Sequence, residues 1–233
     1  MFLLTSALFF HYLLRKKRLP AACFGLLASF TRYYGLLLVI PFAIELVQEI
    51  TKAFADKRTS IDKKFIYIIK RSAPILLIPI GIGIYLLINY AVSGNFFQFL
   101  IYQRDHWNQR FSFFFDNMRT LAVNAFEFPR ATSATLFIPQ IICIILFIAL
   151  LLYGVLSKFR VSLLAYLGVY FLLSISAFWM LSFPRYIFGA VPMFPLMSSL
   201  GSKSRAADAL VSMVCFAGLI FLTIAYTCGF HVY

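Results

Sequence analysis

Long apolar stretches separated by short polar segments dominate this chain. Several contain the roughly 20 residues that an α-helix needs to cross about 30 Å of hydrocarbon, at about 1.5 Å of rise per residue. None shows the alternation of a membrane β-barrel, and backbone groups in lipid must be satisfied within the segment. The pattern therefore predicts an all-α, polytopic transmembrane protein that forms a single membrane domain over residues 1–233. The seven stretches are Met1–Leu14, Leu19–Glu49, Ser72–Val92, Ala134–Leu156, Val161–Leu181, Tyr186–Leu200 and Ala209–Cys228.

The composition supports this class and excludes others. Hydrophobic residues make up 62% of the chain and charged residues only 12%, whereas a soluble domain is usually about 45–50% apolar. The net charge of +13 is spread over short loops that flank the apolar stretches, and no soluble basic face is formed, so nucleic acid is not an expected partner. Membrane lipids are the expected partners. The basic loop from Lys52 to Arg71 is expected to touch anionic lipid headgroups.

The distribution of Lys and Arg predicts the orientation. The sequence "RKKR" at 15–18 and the loop from Lys52 to Arg71 carry eleven of the 21 basic residues, and two further basic pairs lie near positions 160 and 204. Basic loops are retained on the cytoplasmic side. These four segments are therefore predicted to be cytoplasmic, while residues 93–133 and the C-terminal "GFHVY" are predicted to be external.

The stretch Leu19–Glu49 lies between two basic loops that are both predicted to be cytoplasmic. It must therefore cross the membrane an even number of times, yet its 31 residues are too few for two full spans. We interpret it as a re-entrant pair of short helices that is broken at "TRYYG", with Arg32 at the tip and Gly35 weakening the helix. Non-helical backbone at this depth needs protein or a watery cavity around it, so Arg32 is expected to face an externally open polar cavity.

The N-terminus differs from a secretory signal, because the apolar run precedes the positive charges. Fourteen helical residues cover only about 21 Å, which is less than the thickness of the hydrocarbon core. We expect that Met1 lies inside a helix of a longer ancestral protein. The alternative is a short span that thins the bilayer locally.

Polar and aromatic residues mix in the external segment "NFFQFLIYQRDHWNQRFSFFFDN", residues 95–117. As one helix it would lie in the membrane interface, with Gln103, His106, Trp107 and Arg110 on a single face. Anchoring at the membrane boundary is the alternative role for its Trp, Tyr, Phe and Arg residues.

A second marker is "FPRYIFGAVPMFP", residues 183–195, which places Arg185 and Tyr186 at the outer mouth of a proline-rich span. Arg185 is either functional or a boundary anchor. The four cysteines lie far apart in apolar stretches, where buried packing is expected of them, and the three histidines are scattered. No metal site and no cofactor are expected.

Three segments, "ASFTRYYGLLLVIPFAIE", "YQRDHWNQRF" and "FPRYIFGAVPMF", occur in this order with apolar stretches between them. Together they resemble the later two-thirds of the PIG-V family, which comprises GPI mannosyltransferase 2 and its bacterial relatives. The resemblance implies a GT-C-like membrane glycosyltransferase that takes a sugar from a polyprenyl-phosphate donor on the outer or lumenal face. It also implies a bacterial plasma membrane location in preference to the endoplasmic reticulum.

The resemblance implies that an acceptor hydroxyl attacks the anomeric carbon, a carboxylate removes its proton, and the lipid phosphate leaves as an anion. Arginine binds phosphate oxygens in pairs and stays charged at depth. The expected substrate-binding residues are Arg32, Gln103, His106, Trp107, Arg110, Arg185 and Tyr186. The catalytic base is not assigned to any residue of this chain, because the family's acidic outer loop is expected upstream of Met1. The resemblance therefore implies that the chain alone lacks a residue on which activity depends.

Two other classes of function remain open. A transporter or lipid flippase also places charges in a membrane cavity, and it often shows repeated broken helices. This sequence shows one broken pair and no matching second half. A non-catalytic membrane subunit would need no polar cavity.

Overall fold

The structure is a computed structural model, and it describes residues 1–55, 61–107, 111–176 and 183–230. Within these ranges the regular structure is helical, and no strand is formed. The chain divides into two compact units. The first comprises Met1–Ile101 and Arg160–Val169, and the second comprises Tyr102–Phe159 and Tyr170–Tyr233. The single membrane domain stays a prediction.

The helices follow the apolar stretches closely. In the first unit they are α1 (Phe2–Leu14), α2 (Arg18–Thr31), α3 (Val39–Ala55), α4 (Ile61–Ser72) and α5 (Leu77–Ser93), with 3₁₀ segments at Tyr33–Leu38 and Ala73–Leu76. Helix α6 (Gln98–Trp107) begins in the first unit. The later helices are α7 (Phe114–Glu127), α8 (Arg130–Thr132), α9 (Ile138–Leu156), α10 (Val161–Ile175), α11 (Phe183–Ile187), α12 (Met193–Gly201) and α13 (Arg205–Thr227), with a π-helical turn at Ser133–Phe137.

Four helical segments of the described chain are long and apolar enough to cross a membrane: Tyr33–Lys52, Ile66–Ser93, Arg130–Leu156 and Arg205–Thr227. Three more helices, α1, α2 and α10, are apolar but shorter. The all-helical class is therefore confirmed, together with helices that are capable of spanning a membrane. Helix α13 has very little of its surface buried against the protein, so its apolar side chains are available to lipid.

The chain reverses direction between α2 and α3 inside the first unit, so that Glu49 of α3 lies beside Arg18 at the beginning of α2, and we call these two helices and their connecting turn the hairpin. Helix α2 ends at Thr31, Arg32 adopts an extended conformation, and the chain turns through a 3₁₀ segment into α3. Glycine is required in this turn, because a Cβ on Gly35 would lie 2.3–2.4 Å from backbone atoms of Ala28 and Ser29. The break predicted near Arg32 to Gly35 is confirmed as a local feature, whereas its re-entry into a membrane stays a prediction.

Helix α5 packs against α2 through small residues. A Cβ on Gly81 would lie 2.2 Å from the Leu26 carbonyl oxygen, and one on Gly25 would lie 2.8 Å from Ile78. The Ser29 hydroxyl donates a hydrogen bond to the Ile78 carbonyl, 2.5 Å away. This close contact holds the end of α2 that precedes Arg32, because neither backbone has room to move toward the other.

Side-chain to backbone hydrogen bonds join the elements of the second unit. The Asn117 amide on α7 donates to the Ile175 carbonyl at 2.9 Å, and the Tyr153 hydroxyl on α9 donates to the Ser199 carbonyl at 3.0 Å. Both acceptors lie in or beside apolar helices, where an unpaired carbonyl is costly. These bonds fix the ends of helices that are otherwise held by apolar packing.

Two predicted elements are wrong in their extent. The single helix over 95–117 is divided, because residues 111–113 are not helical and α7 begins only at Phe114. Between them, the Ser112 amide donates to the Ser176 carbonyl at 2.9 Å and Phe113 is extended. The stretch Tyr186–Leu200 is not one span either. Helix α11 ends at Ile187, and Pro192, which lacks an N–H, precedes the new helix α12.

Candidate functional site

The Arg32 turn is the first part of the candidate site. The Arg32 amide still donates to the Ala28 carbonyl at 3.0 Å, and the Arg32 carbonyl accepts from the Gly35 amide at 2.8 Å. The side chain is half-buried, and its guanidinium lies 6.0 Å from the centre of the Phe2 ring. Because both backbone groups are used by the turn, the side chain is presented from a well-defined backbone.

Acidic residues of the same hairpin are held at its opposite end. Helix α2 has 14 residues, so its two ends lie roughly 20 Å apart. Glu49 lies beside Arg18 at the beginning of α2, whereas Arg32 follows the end of α2. An ion pair with Glu45 or Glu49 would give Arg32 a structural role. These two carboxylates instead pair with Arg160 and Arg18.

A cluster of ion pairs occupies that opposite end, and we call it the charged clasp. Its members are Arg18, Glu45, Glu49, Tyr67, Arg71, Arg160 and Ser162. They come from α2, α3, α4 and the beginning of α10. The clasp therefore connects four segments that are far apart in the sequence.

Glu45 is the buried acid of the clasp, with 6% of its surface exposed. Arg160 binds it with both prongs, Nε to Oε1 at 2.6 Å and Nη2 to Oε2 at 2.5 Å, and the Ser162 hydroxyl donates to Oε1. The hydrogen bonds from Arg160 to Glu45 raise the pKa of the Arg160 guanidinium above its usual value. The bidentate geometry explains why a carboxylate is tolerated here.

Glu49 is the second acid, one helical turn later. It accepts hydrogen bonds from Arg18 at 2.7 Å and from the Tyr67 hydroxyl at 2.5 Å, and Arg71 lies 3.3 Å away. The Arg18 side chain is only 3% exposed and its guanidinium stacks 5.2 Å from the centre of the Phe42 ring. Its Nε and Nη1 atoms have no hydrogen-bond partner among the described residues, so Glu49 is the carboxylate that compensates this buried cation.

The external segment contributes exposed polar groups from α6. Gln103 is half-buried and His106 is exposed, with its ring stacked 5.8 Å from that of Tyr102. Trp107 lies in the last described turn of the helix. Arg104 forms an exposed ion pair with Asp105 at 2.8 Å, so the one acid of this helix is engaged by its neighbour. Arg110, the remaining member of the predicted face, lies outside the described residues.

The late motif is placed on the short helix α11 of the second unit. Arg185 is exposed and its guanidinium lies 5.7 Å from the centre of the Tyr186 ring. The Tyr186 carbonyl accepts a hydrogen bond from the Tyr170 hydroxyl at 2.9 Å. Arg32 belongs to the first unit and Arg185 to the second, and their convergence on one cavity stays a prediction.

Other candidate chemistry is absent from the described ranges. No group of three His, Cys, Asp or Glu side chains there is placed to hold a metal ion. The expectation of buried cysteines is wrong, because Cys23, Cys215 and Cys228 are exposed and Cys143 is half-buried. Their apolar helices turn these residues outward, where lipid would cover them. An open cleft on α7, lined by Asp116, Arg119, Thr120 and Val123, contains none of the predicted site residues.

Comparison with known proteins returned nothing: no family model, no curated protein and no solved structure matches this chain. The resemblance to the PIG-V family therefore depends on the three motifs alone.

Sequence reasoning missed the charged clasp. A signal was present, since Glu45 and Glu49 are spaced by four residues within an apolar stretch and so share one helical face. Two acids at that spacing indicate that cations from other segments must meet them. The sequence did not indicate which of the 21 basic residues these would be.

Proposed function

We propose that this protein is a GT-C-type membrane glycosyltransferase, similar to mannosyltransferases, that moves a sugar from a polyprenyl-phosphate donor to an acceptor on the outer or lumenal face. The observation that carries the proposal is the Arg32 turn. A permanent cation follows the end of a 14-residue apolar helix, in a turn that is fixed by backbone hydrogen bonds and by the close packing of Gly35.

The energetic argument concerns the cost of that cation. An arginine at membrane depth costs on the order of 2.5–3.5 kcal/mol on insertion scales. A lipid-linked phosphate would offset this cost, because a guanidinium binds phosphate oxygens in pairs. The rigid turn that Gly35 allows keeps the position of Arg32 constant, which suits a residue that must meet a phosphate at a fixed depth.

In the proposed reaction, an oxygen–carbon bond forms between the acceptor and the anomeric carbon as the bond from that carbon to the donor phosphate breaks. The acceptor proton passes to a carboxylate, which is not assigned to this chain. Arg32 and Arg185 stabilise the negative charge that develops on the leaving phosphate. Gln103, His106, Trp107, Arg110 and Tyr186 are proposed to contact the sugar or the carrier.

The proposal is tested with membranes that contain the overexpressed chain and a polyprenyl-phosphate mannose that is labelled in the sugar and bears a photoreactive group. We expect light-dependent labelling of the chain, competed by unlabelled donor. Arg32→Ala should reduce the labelling about tenfold at a subsaturating donor concentration, and Arg130→Ala, at an exposed arginine outside the predicted site, should leave it unchanged. Transfer of the sugar to an endogenous acceptor is measured in the same membranes.

Absence of specific labelling in the parent chain would contradict the proposal. Movement of intact, uncleaved donor between the leaflets of proteoliposomes, without sugar transfer, would support a flippase instead.

A further inference from the structure

Basic residues remain unpaired around the charged clasp after its carboxylates are used. Glu45 is bound by Arg160, and Glu49 by Arg18 and Arg71. The exposed cations Arg15, Lys16, Lys17, Lys52 and Lys70 form no ion pair within the described part of the chain. The protein therefore leaves an excess of positive charge at this end of the first unit.

The basic segments that surround the clasp are held together by specific contacts. The Arg71 guanidinium donates a hydrogen bond to the Lys16 carbonyl at 3.1 Å, which joins the α1–α2 turn to the end of α4. The same side chain reaches Glu49 at 3.3 Å. This contact holds the exposed Lys16 and Lys17 beside the end of α4, where the exposed Lys70 precedes Arg71.

Helix α4 shows what kind of partner this surface fits. One face of α4 carries Tyr67 and Arg71, which contact Glu49. The neighbouring face of the helix carries Ile66, Ile69 and Lys70, at steps of three and four residues, and all three are exposed. Exposed isoleucines directly beside an exposed lysine match the acyl chains and the headgroup of a phospholipid.

We propose that this surface, formed by Lys16, Lys17, Lys70 and Arg71, binds the headgroup of an anionic phospholipid, whose acyl chains lie along Ile66 and Ile69. An acidic soluble protein would match the charges, but it would leave the isoleucines of a helix that is apolar enough to span the membrane in contact with water. The proposal is independent of the glycosyltransferase activity.

The test uses the full chain in nanodiscs of phosphatidylcholine with 20% phosphatidylglycerol, a fraction of each lipid being spin-labelled. The relative association constant of the two lipids with the protein is measured by electron paramagnetic resonance. We expect a preference for phosphatidylglycerol, which K16Q/K17Q/K70Q reduces about tenfold, because each cation near the surface contributes substantially to the attraction. The control R119Q/R130Q/R205Q removes the same charge elsewhere, from residues that are exposed, and should retain the preference.

An equal loss in the control, or an unchanged preference in the Lys variant, would overturn the proposal. If the Lys variant does not fold, the lipid preference of the parent protein is measured at increasing salt concentration. A preference that is unchanged between 0.05 and 0.5 M would also overturn the proposal, since an exposed ionic contact is screened over roughly this range. The extent of chemical acylation of Lys16, Lys17 and Lys70, measured by mass spectrometry, distinguishes a bound phospholipid from a bound acidic protein. Protection by phosphatidylglycerol supports the proposal, and protection only by added polyglutamate in phosphatidylcholine discs contradicts it.

Discussion

The Arg18 guanidinium lies 2.7 Å from the Glu49 carboxylate, although 31 residues separate them in the chain. This ion pair joins the beginning of α2 to the later part of α3 and closes the hairpin whose turn presents Arg32. The Arg160 to Glu45 pair then attaches the hairpin to the beginning of α10. Both carboxylates of the hairpin and their partners therefore lie away from the turn that presents Arg32.

Glu49 should be more sensitive to substitution than Arg18. Glu49→Gln leaves the nearly buried Arg18 without its carboxylate, and breaking a buried pair in this way costs about 3–5 kcal/mol. Arg18→Met should cost less, because Tyr67 and the partly exposed Arg71 still contact Glu49. The free energy of unfolding in detergent micelles measures both. The control is Glu127→Gln, at an exposed position, which should leave the free energy of unfolding unchanged. Equal decreases in that free energy for Glu49→Gln and Arg18→Met would contradict the role of Glu49 as the carboxylate that compensates Arg18.

Gly35→Ala should destabilise the Arg32 turn. The new Cβ would lie 2.3–2.4 Å from backbone atoms, which cannot move away as a flexible side chain can. Overpacking of this kind typically costs about 1–3 kcal/mol. The matched control is Gly83→Ala in α5, where nothing lies within 4 Å of the added Cβ, and where alanine should stabilise the helix by up to about 1 kcal/mol. Thermal unfolding of both variants checks the prediction, and a Gly35→Ala variant as stable as the parent would refute the close packing.

Arg32→Ala should weaken binding of the polyprenyl-phosphate donor more than it weakens folding. Loss of one guanidinium to phosphate contact should reduce affinity by about tenfold or more, since a charge-assisted hydrogen bond contributes about 1.5–3 kcal/mol. Arg32→Lys should recover only part of this, because lysine keeps the charge and loses the paired geometry. Donor photolabelling and thermal unfolding are compared for both variants. If Arg32→Ala lowers stability and leaves labelling intact, Arg32 has a structural role.

The predicted orientation can be checked with single cysteines in a chain whose four native cysteines are replaced. Lys70→Cys, on the exposed face of α4, should react with an impermeant maleimide only from the cytoplasmic side. Asp105→Cys, on the exposed part of α6, should react only from outside. Reaction of residue 105 from the cytoplasmic side alone would reverse the topology, and with it the external cavity proposed for Arg32.

The position of the hairpin break was accessible from the sequence, because "TRYYG" interrupts an apolar stretch with a charge and a glycine. The breaks at Ser112–Phe113 and after Ile187 were not predicted. The first depends on a backbone hydrogen bond from Ser112 to Ser176, which is a contact between distant segments. The second was indicated by Gly189 and Pro192, yet the high apolar content of the stretch outweighed that local signal.

The sequence by itself determined the helical membrane class, since backbone groups in lipid must be satisfied within each segment and the apolar stretches are long enough to do so. It also determined that a cation would follow a broken helix at Arg32. Only the tertiary structure decided which cations meet Glu45 and Glu49, because ion pairing depends on distances between helices that sequence spacing does not contain. Arg160 reaches Glu45 from 115 residues away, and Arg71 reaches both Glu49 and the Lys16 carbonyl. Within the described part of the chain, those contacts leave Lys16, Lys17 and Lys70 without a carboxylate partner.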